Sequence, residues 1–118
     1  MAEFGDFLSE DLRKFVDEYL TTFVIWDLLI IFAENPGLVD SAENIAVRLG
    51  RKEKDTEAGL KELTKKNLLK ETKREDMFIY ELTDDLKTRK ALENFVLALN
   101  SREKRLIILT RMFQERNL

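Results

Sequence analysis

The 118-residue chain contains no cysteine and no histidine. Without cysteine it cannot form a disulfide or a thiolate metal site, and without histidine it lacks the commonest nitrogen ligand and general base. No D-x-D loop suggests a metal site made of carboxylates alone. A glycine-rich phosphate loop and a G-x-S-x-G motif are also missing. The sequence therefore predicts no metal, no cofactor and no enzymatic activity.

Long apolar runs are missing as well. The longest, over residues 23–33, is interrupted by Asp27 and is too short to span a bilayer. The chain opens M-A-E-F-G-D, with no basic region before an apolar one, so no signal peptide is predicted. A mean hydropathy of −0.32 fits a folded protein that we expect in the cytoplasm, without a membrane segment. The length corresponds to one domain.

Charge is distributed unevenly along the chain, whose formal net charge is −3. Residues 1–50 carry three Lys/Arg against ten Asp/Glu, a net −7, whereas residues 51–74 carry nine against five, a net +4. Residues 75–118 carry eight of each. A basic segment on an acidic chain is typical of an anion-binding face. The alternative is a lysine-rich helix that is basic only because its outer face is solvated.

The first half of the chain has helical periodicity. Residues 8–20 form an amphipathic helix with Ser9 as its N-cap. Residues 21–34 are apolar nearly all round, as in a buried central helix, although the β-branched stretch 21–25 also fits a strand. The sequence Asn35-Pro36-Gly37 ends this element. Trp26 and the nearby phenylalanines fit core packing better than an aromatic ligand pocket.

Two further helices and a hairpin follow. Ser41 caps a short helix that ends near Gly50, and a second helix runs from about Glu53 to Lys66. Gly59 within it costs about 1 kcal/mol relative to alanine, which a close helix crossing would offset. Residues 68–72 and 77–82 are strand-like, with residues 73–76 as their connection and Phe78, Tyr80 and Leu82 on one face. Residues 85–116 contain two more helices.

The spacing of apolar residues in this region resembles that of the winged helix-turn-helix regulators of the ArsR and MarR kind. The residues that carry the resemblance are I-A-V-R-L-G at 45–50, Leu60 and Leu63, N-L-L at 67–69 and I-Y-E-L-T at 79–83. It covers about residues 25–82. The resemblance implies a mainly α fold with a small β-hairpin. It also implies a single domain over 1–118, with a winged-helix core at 21–83 and additional helices at 8–20 and 85–116.

The resemblance further implies a DNA-binding transcriptional regulator whose partner is double-stranded DNA. The helix at about 53–66 would enter the major groove, and the wing at 73–76 would contact the backbone. The expected DNA-binding residues are Arg51, Lys52, Lys54, Lys61, Lys65, Lys73 and Arg74. This function requires Lys54, Lys61, Lys73 and Arg74 to share one exposed side of the fold.

Three residues depart from that pattern. Glu53 and Glu57 lie at outward positions where residues that contact bases or phosphates are expected, and Lys52 lies where a Ser, Thr or Asp cap is usual. Glu53 and Glu57 favour an alternative, a winged-helix protein–protein interaction module that does not bind DNA.

The flanking helices carry apolar stripes that predict a homodimer, since two DNA half-sites require a two-fold partner. The expected dimer interface consists of Phe15, Leu20, Phe95, Leu99, Ile107, Ile108 and Phe113. The alternative is that these helices cover the core of one subunit. The sequence does not identify a small-molecule effector.

Overall fold

A computed structural model describes residues 8–116 of the chain, so the segment 1–6 used for the signal-peptide prediction lies outside the described residues. The described part contains six helices and three strands. In chain order these are α1 (Glu10–Tyr19), α2 (Phe23–Glu34), β1 (Val39–Ser41), α3 (Ala42–Leu49), α4 (Glu53–Lys65), β2 (Leu69–Arg74), β3 (Met77–Leu82), α5 (Leu86–Ala98) and α6 (Arg102–Arg116). None of these helices is long and apolar enough to cross a membrane.

Hydroxyl caps set the starts of the first two helices. The Ser9 Oγ accepts a hydrogen bond from the Leu12 amide at 3.1 Å, as predicted. The Thr22 Oγ1 accepts one from the Ile25 amide at 3.1 Å. Each bond satisfies an amide of the first turn that has no partner within the helix. Because α2 starts immediately after Thr22, the strand interpretation of residues 21–25 is wrong.

The ends of α3 and α4 follow the local sequence. The Ser41 Oγ accepts from the Asn44 amide at 3.3 Å, and Gly50 adopts a left-handed φ of 65° beyond the end of α3. Asn67 closes the next helix with a φ of 64°, a conformation that Asn tolerates better than most residues. The predicted end of α3 near Gly50 is confirmed, and α4 ends at Lys65, one residue before the predicted Lys66. The start of α4 differs, because Lys52 makes no side-chain hydrogen bond as its cap.

The helices α2 and α4 cross closely at Gly59. The nearest side-chain atoms belong to Leu28, Val24 and Ile25 of α2, and Gly59 is buried. The close crossing predicted from this glycine is confirmed. Trp26 of the same α2 helix lies edge-on to Phe95, with ring centroids 5.9 Å apart, which confirms its predicted packing role.

The predicted hairpin belongs to a three-stranded antiparallel sheet in the order β1-β3-β2. The three-residue strand β1, which pairs with β3, was not predicted, because so short a strand leaves no alternating pattern. The second hairpin strand has the predicted bounds, whereas the first runs two residues further toward the turn than expected. Lys73 and Arg74 lie within β2, so Glu75 and Asp76 form a two-residue turn. Glu75 has a φ of 55°, as tight hairpin turns require.

The two C-terminal helices pack against the N-terminal half of the chain. Asp85 caps α5 by accepting from the Thr88 amide at 3.0 Å. The guanidinium of Arg111 on α6 forms two 2.7 Å hydrogen bonds with the Asp17 carboxylate on α1. One hydrophobic cluster includes residues from α1, α2, α4, α5 and α6. The fold is mainly helical with a small antiparallel sheet, consistent with a winged-helix fold of the kind found in regulators.

Candidate functional site

The outward face of α4 carries a line of lysines. Thr56, Gly59, Leu60 and Leu63 are its buried residues and define the side that packs on the core. At 3.6 residues per turn, the stripe opposite them spans about 60° of the helix. It contains Lys54, Ala58, Lys61 and Lys65, all exposed. We call these four residues the α4 stripe.

The acidic residues of α4 lie beside this stripe. Glu53 and Glu57 are exposed, but the helical angle places them toward the flank between the stripe and the buried side. Glu53 and Asp55 belong to the first turn, where a carboxylate favourably faces the positive end of the helix dipole. The centre of the exposed face is therefore basic, with the carboxylates along its margins.

Lys61 makes the most contacts of the stripe residues. Its Nζ lies 2.9 Å from Oε2 of Glu71 on β2 and 4.6 Å from the ring centroid of Phe78 on β3. The hydrogen bond to Glu71 raises the pKa of Lys61, and the same bond lowers the pKa of the Glu71 carboxyl. Lys61 therefore joins α4 to the hairpin.

Tyr80 completes the Lys61 contacts. Its side chain is buried, and its ring centroid lies 6.0 Å from the Lys61 Nζ. Burial, reinforced by a hydrogen bond to Glu71, raises the pKa of Tyr80 to about 12. We call Lys61, Glu71, Phe78 and Tyr80 the hairpin clamp. The alternation of Phe78, Tyr80 and Leu82 indicated one side of it, but Glu71 could be placed only once the turn was fixed at residues 75–76.

The two predicted wing cations belong to opposite faces of the hairpin. Lys73 pairs in register with Phe78, and Glu71 with Tyr80, so these four side chains share the face that Lys61 contacts. Arg74 is the next residue along the strand and belongs to the other face. There Lys70 pairs with Glu81 at 3.1 Å and Asp84 at 2.7 Å. The structure thus brings Lys73 to the side of Lys61 but not Arg74, so the expectation that Lys54, Lys61, Lys73 and Arg74 share one exposed side of the fold is wrong for Arg74.

The remaining predicted cations lie where α4 begins. The Arg51 Nε donates to Oδ2 of Asp27 on α2 at 2.7 Å, which holds the connection between α3 and α4 against the central helix. Lys52 is exposed beside the first turn of α4. Arg51 is thus engaged within the fold, whereas the Lys52 ammonium faces solvent.

Most of the predicted dimer residues are buried within the single chain. Those with little exposure are Phe15, Leu20, Phe95, Leu99, Ile107 and Ile108, whereas Phe113 is 52% exposed. The six buried side chains fill the space between the flanking helices and α2, which matches the core-covering alternative. A partner subunit could reach Phe113 without rearrangement of the core, but not these six.

Phe113 belongs to an exposed apolar patch, whose other members the predicted interface did not include. Its ring centroid lies 6.0 Å from that of Phe23 at the start of α2, which is 44% exposed. Leu106, two helical turns before Phe113, is 55% exposed, and Leu109 between them is half-buried. We call these four residues the α6 patch. The spacing of Leu106, Leu109 and Phe113 by three and four residues was the signal in the sequence that they share one face of α6.

Comparison with known proteins gives support at the level of the fold. A solved structure described as a possible transcriptional regulator from Methanosarcina mazei Go1 matches this chain with a TM-score of 0.56 and 18% sequence identity. The match covers 92% of this chain and 88% of the other. No protein-family model matches the sequence, and no curated protein matches it. The similarity therefore supports the fold and does not identify a family.

Proposed function

We propose that the chain is a single-domain, DNA-binding transcriptional regulator in which α4 enters the major groove. The observation that carries this proposal is the α4 stripe: three lysines on the exposed side, opposite the side buried against α2. An exposed helix of this kind can fit the major groove, where lysines contact phosphates and guanine edges. The regulator-like fold of the Methanosarcina mazei structure is consistent with this role.

Three cations are available for phosphate contacts. Lys54, Lys65 and Lys73 are exposed, and no salt bridge to them occurs among the side chains that the structure describes. Their ammonium groups can therefore exchange water and counterions for DNA phosphates without breaking an internal ion pair. Lys73 extends the basic surface from α4 onto the hairpin. Lys52 lies outside the stripe and would add a contact at its edge, whereas Arg74 belongs to the other face of the hairpin.

We propose further that two copies of the chain form a homodimer through the α6 patch. A regulator that reads two half-sites one turn apart needs a two-fold partner. The α6 patch offers apolar area from two elements, including the paired rings of Phe23 and Phe113, and aromatic rings contribute strongly to interfaces. In this proposal the dimer interface is formed by the α6 patch and not by the six buried residues of the predicted interface.

Fluorescence anisotropy with a mixed-sequence duplex of about 30 base pairs, enough for two half-sites, tests DNA binding directly. The affinity should fall steeply as salt rises from about 50 to 200 mM, because phosphate contacts release counterions. The double variant Lys54→Glu, Lys65→Glu should abolish binding. Its matched control is Lys87→Glu, Lys90→Glu, which makes the same change of charge on the exposed surface of α5 and should bind much more tightly.

No binding of the unmodified chain at low salt would contradict the proposal. Equal weakening by the two double variants would also contradict it, because it would show an effect of net charge rather than of the α4 stripe. Either result would favour the alternative function, a protein–protein interaction module, in which the exposed Glu53 and Glu57 would contact a partner protein.

A further inference from the structure

We propose that Lys61 is a positioning residue for the hairpin rather than a direct DNA contact, an inference that rests on the proposed function. In this assignment the hairpin clamp holds β2 and β3 against α4. Lys73 then lies where it can contact the DNA backbone while Lys54 and Lys65 contact the groove. The position of Lys61 in the middle of the α4 stripe would by itself suggest a phosphate contact, but its side chain is already engaged.

The Lys61 ammonium has partners on two strands. Its Nζ donates to Oε2 of Glu71 at 2.9 Å and lies over the Phe78 ring at 4.6 Å. Glu71 and Phe78 belong to different strands and to adjacent register pairs on one sheet face. One side chain of α4 therefore contacts both strands of the hairpin, through a charge-assisted hydrogen bond and a cation–π contact.

Direct binding of Lys61 to a phosphate would disrupt this arrangement. The ammonium would have to leave the Glu71 carboxylate, which is only 24% exposed and would then face a phosphate without its counterion. The Glu71 carboxylate and the phosphate are both negative and would repel each other. The partly buried carboxylate would also lose the ammonium that compensates for its reduced contact with water. Lys54 and Lys65, which have no such partner among the described residues, can bind phosphates without this cost.

The register explains why the hairpin clamp controls Lys73. Lys73 pairs with Phe78 and lies two residues beyond Glu71 on the same face of β2. The turn at Glu75 and Asp76 follows directly, and residues 72–78 around it are all exposed. The pairing of β1 with β3 ends at Ile79, so the hairpin beyond it is two-stranded, and a short two-stranded hairpin is marginally stable by itself. Contacts made by Lys61 at the adjacent pair therefore restrict the position from which the Lys73 side chain extends.

A double-mutant cycle between Lys61 and Lys73 tests the assignment by the anisotropy assay. Lys73→Met should lower the affinity roughly tenfold at 0.1 M salt and reduce the salt slope by about one, as expected for a lost phosphate contact. Lys61→Met should lower the affinity in the chain with Lys73 but have little further effect in the Lys73→Met background. Lys54→Met, on the same helix face, is the matched control whose effect should add to that of Lys73→Met.

Lys61→Arg separates positioning from simple loss of structure, since arginine keeps both the carboxylate bond and the ring contact. It should restore binding toward that of the unmodified chain. In parallel, amide hydrogen exchange over residues 72–78 should accelerate in Lys61→Met and not in Lys54→Met.

Additive effects of Lys61→Met and Lys73→Met, with a further loss of about one in the salt slope, would overturn the positioning role and leave the DNA-binding function intact. Unchanged hydrogen exchange in Lys61→Met would also overturn it. Failure of the unmodified chain to bind DNA would instead overturn the function and the inference together.

Discussion

A β-carbon added at Gly59 on α4 would lie 2.8 Å from Cδ1 of Leu28 on α2. Contacts this short require a neighbouring atom to move. Leu28 is fully buried, so its side chain has little room, and the β-branched Val24 lies 3.3 Å away on the same side. The crossing that presents the α4 stripe to solvent thus depends on a glycine.

Gly59→Ala should destabilise the protein by about 1 kcal/mol, because an overpacking cost of about 1–3 kcal/mol exceeds the gain in helix propensity of about 1 kcal/mol. Urea unfolding measures the difference. The matched control is Gly37→Ala, where no atom lies within 4 Å of the added carbon, and stability should be unchanged or slightly higher. A net gain in stability from Gly59→Ala would show that the crossing tolerates a methyl group.

Lys52→Ser should stabilise the protein by about 0.5–1 kcal/mol. Lys52 has the extended backbone of an N-cap but makes no side-chain hydrogen bond, and a serine there could accept one from an amide of the first turn. The reverse change at an occupied cap, Ser41→Ala, should cost about 1 kcal/mol. Thermal or urea unfolding of both variants checks the prediction, and it fails if Lys52→Ser is neutral while Ser41→Ala is destabilising.

Leu106→Ser combined with Phe113→Ser should convert a dimer into a monomer, because the substitutions remove apolar area from the centre of the α6 patch. Light scattering coupled to size exclusion should give twice the chain mass of 13.9 kDa for the unmodified protein and the single chain mass for the variant. Val47→Ser, which changes another exposed apolar residue on α3, should leave the dimer intact. A monomeric unmodified protein at micromolar concentration would contradict the dimer.

Stability should decline between pH 10 and about 12 through the ionisation of Tyr80. Burial raises the pKa of this hydroxyl from 10.0 to about 12, so folding favours the neutral form. The corresponding stabilisation is complete below pH 10 and disappears as the pH rises through 12. Denaturant unfolding at several pH values should show a shallower decline in Tyr80→Phe, which has no ionisable hydroxyl.

The ultraviolet absorbance of tyrosinate provides an independent measurement at the same site. The pKa of Tyr19 is also raised, mainly by burial, so Tyr19→Phe isolates the titration of Tyr80. A midpoint near pH 10 in that variant would show that the Tyr80 hydroxyl is not held in the hairpin clamp as described.

Much of the fold could be predicted from residues that are close together in the sequence. Ser9 and Ser41 cap helices because a side-chain oxygen three residues before an amide needs only local geometry to reach it. Pro36, Gly50 and Asn67 end helices for equally local reasons. The resemblance added the order of the winged-helix elements. The short strand β1 was not predicted because it forms by pairing with β3, and the paired residues, such as Asp40 and Tyr80, are far apart in the sequence.

The sequence by itself determined the helices, their caps and the concentration of positive charge in residues 51–74, because these depend on residues within a few positions of each other. Only the tertiary structure decided that Lys61 pairs with Glu71, that Lys73 and Arg74 diverge, and that Phe95 and Ile108 are core while Phe113 is exposed. Each of these depends on the register of a hairpin or the packing of helices distant in the chain. Apolar periodicity marks a side chain for burial, but it does not specify whether the same chain or a second copy covers it.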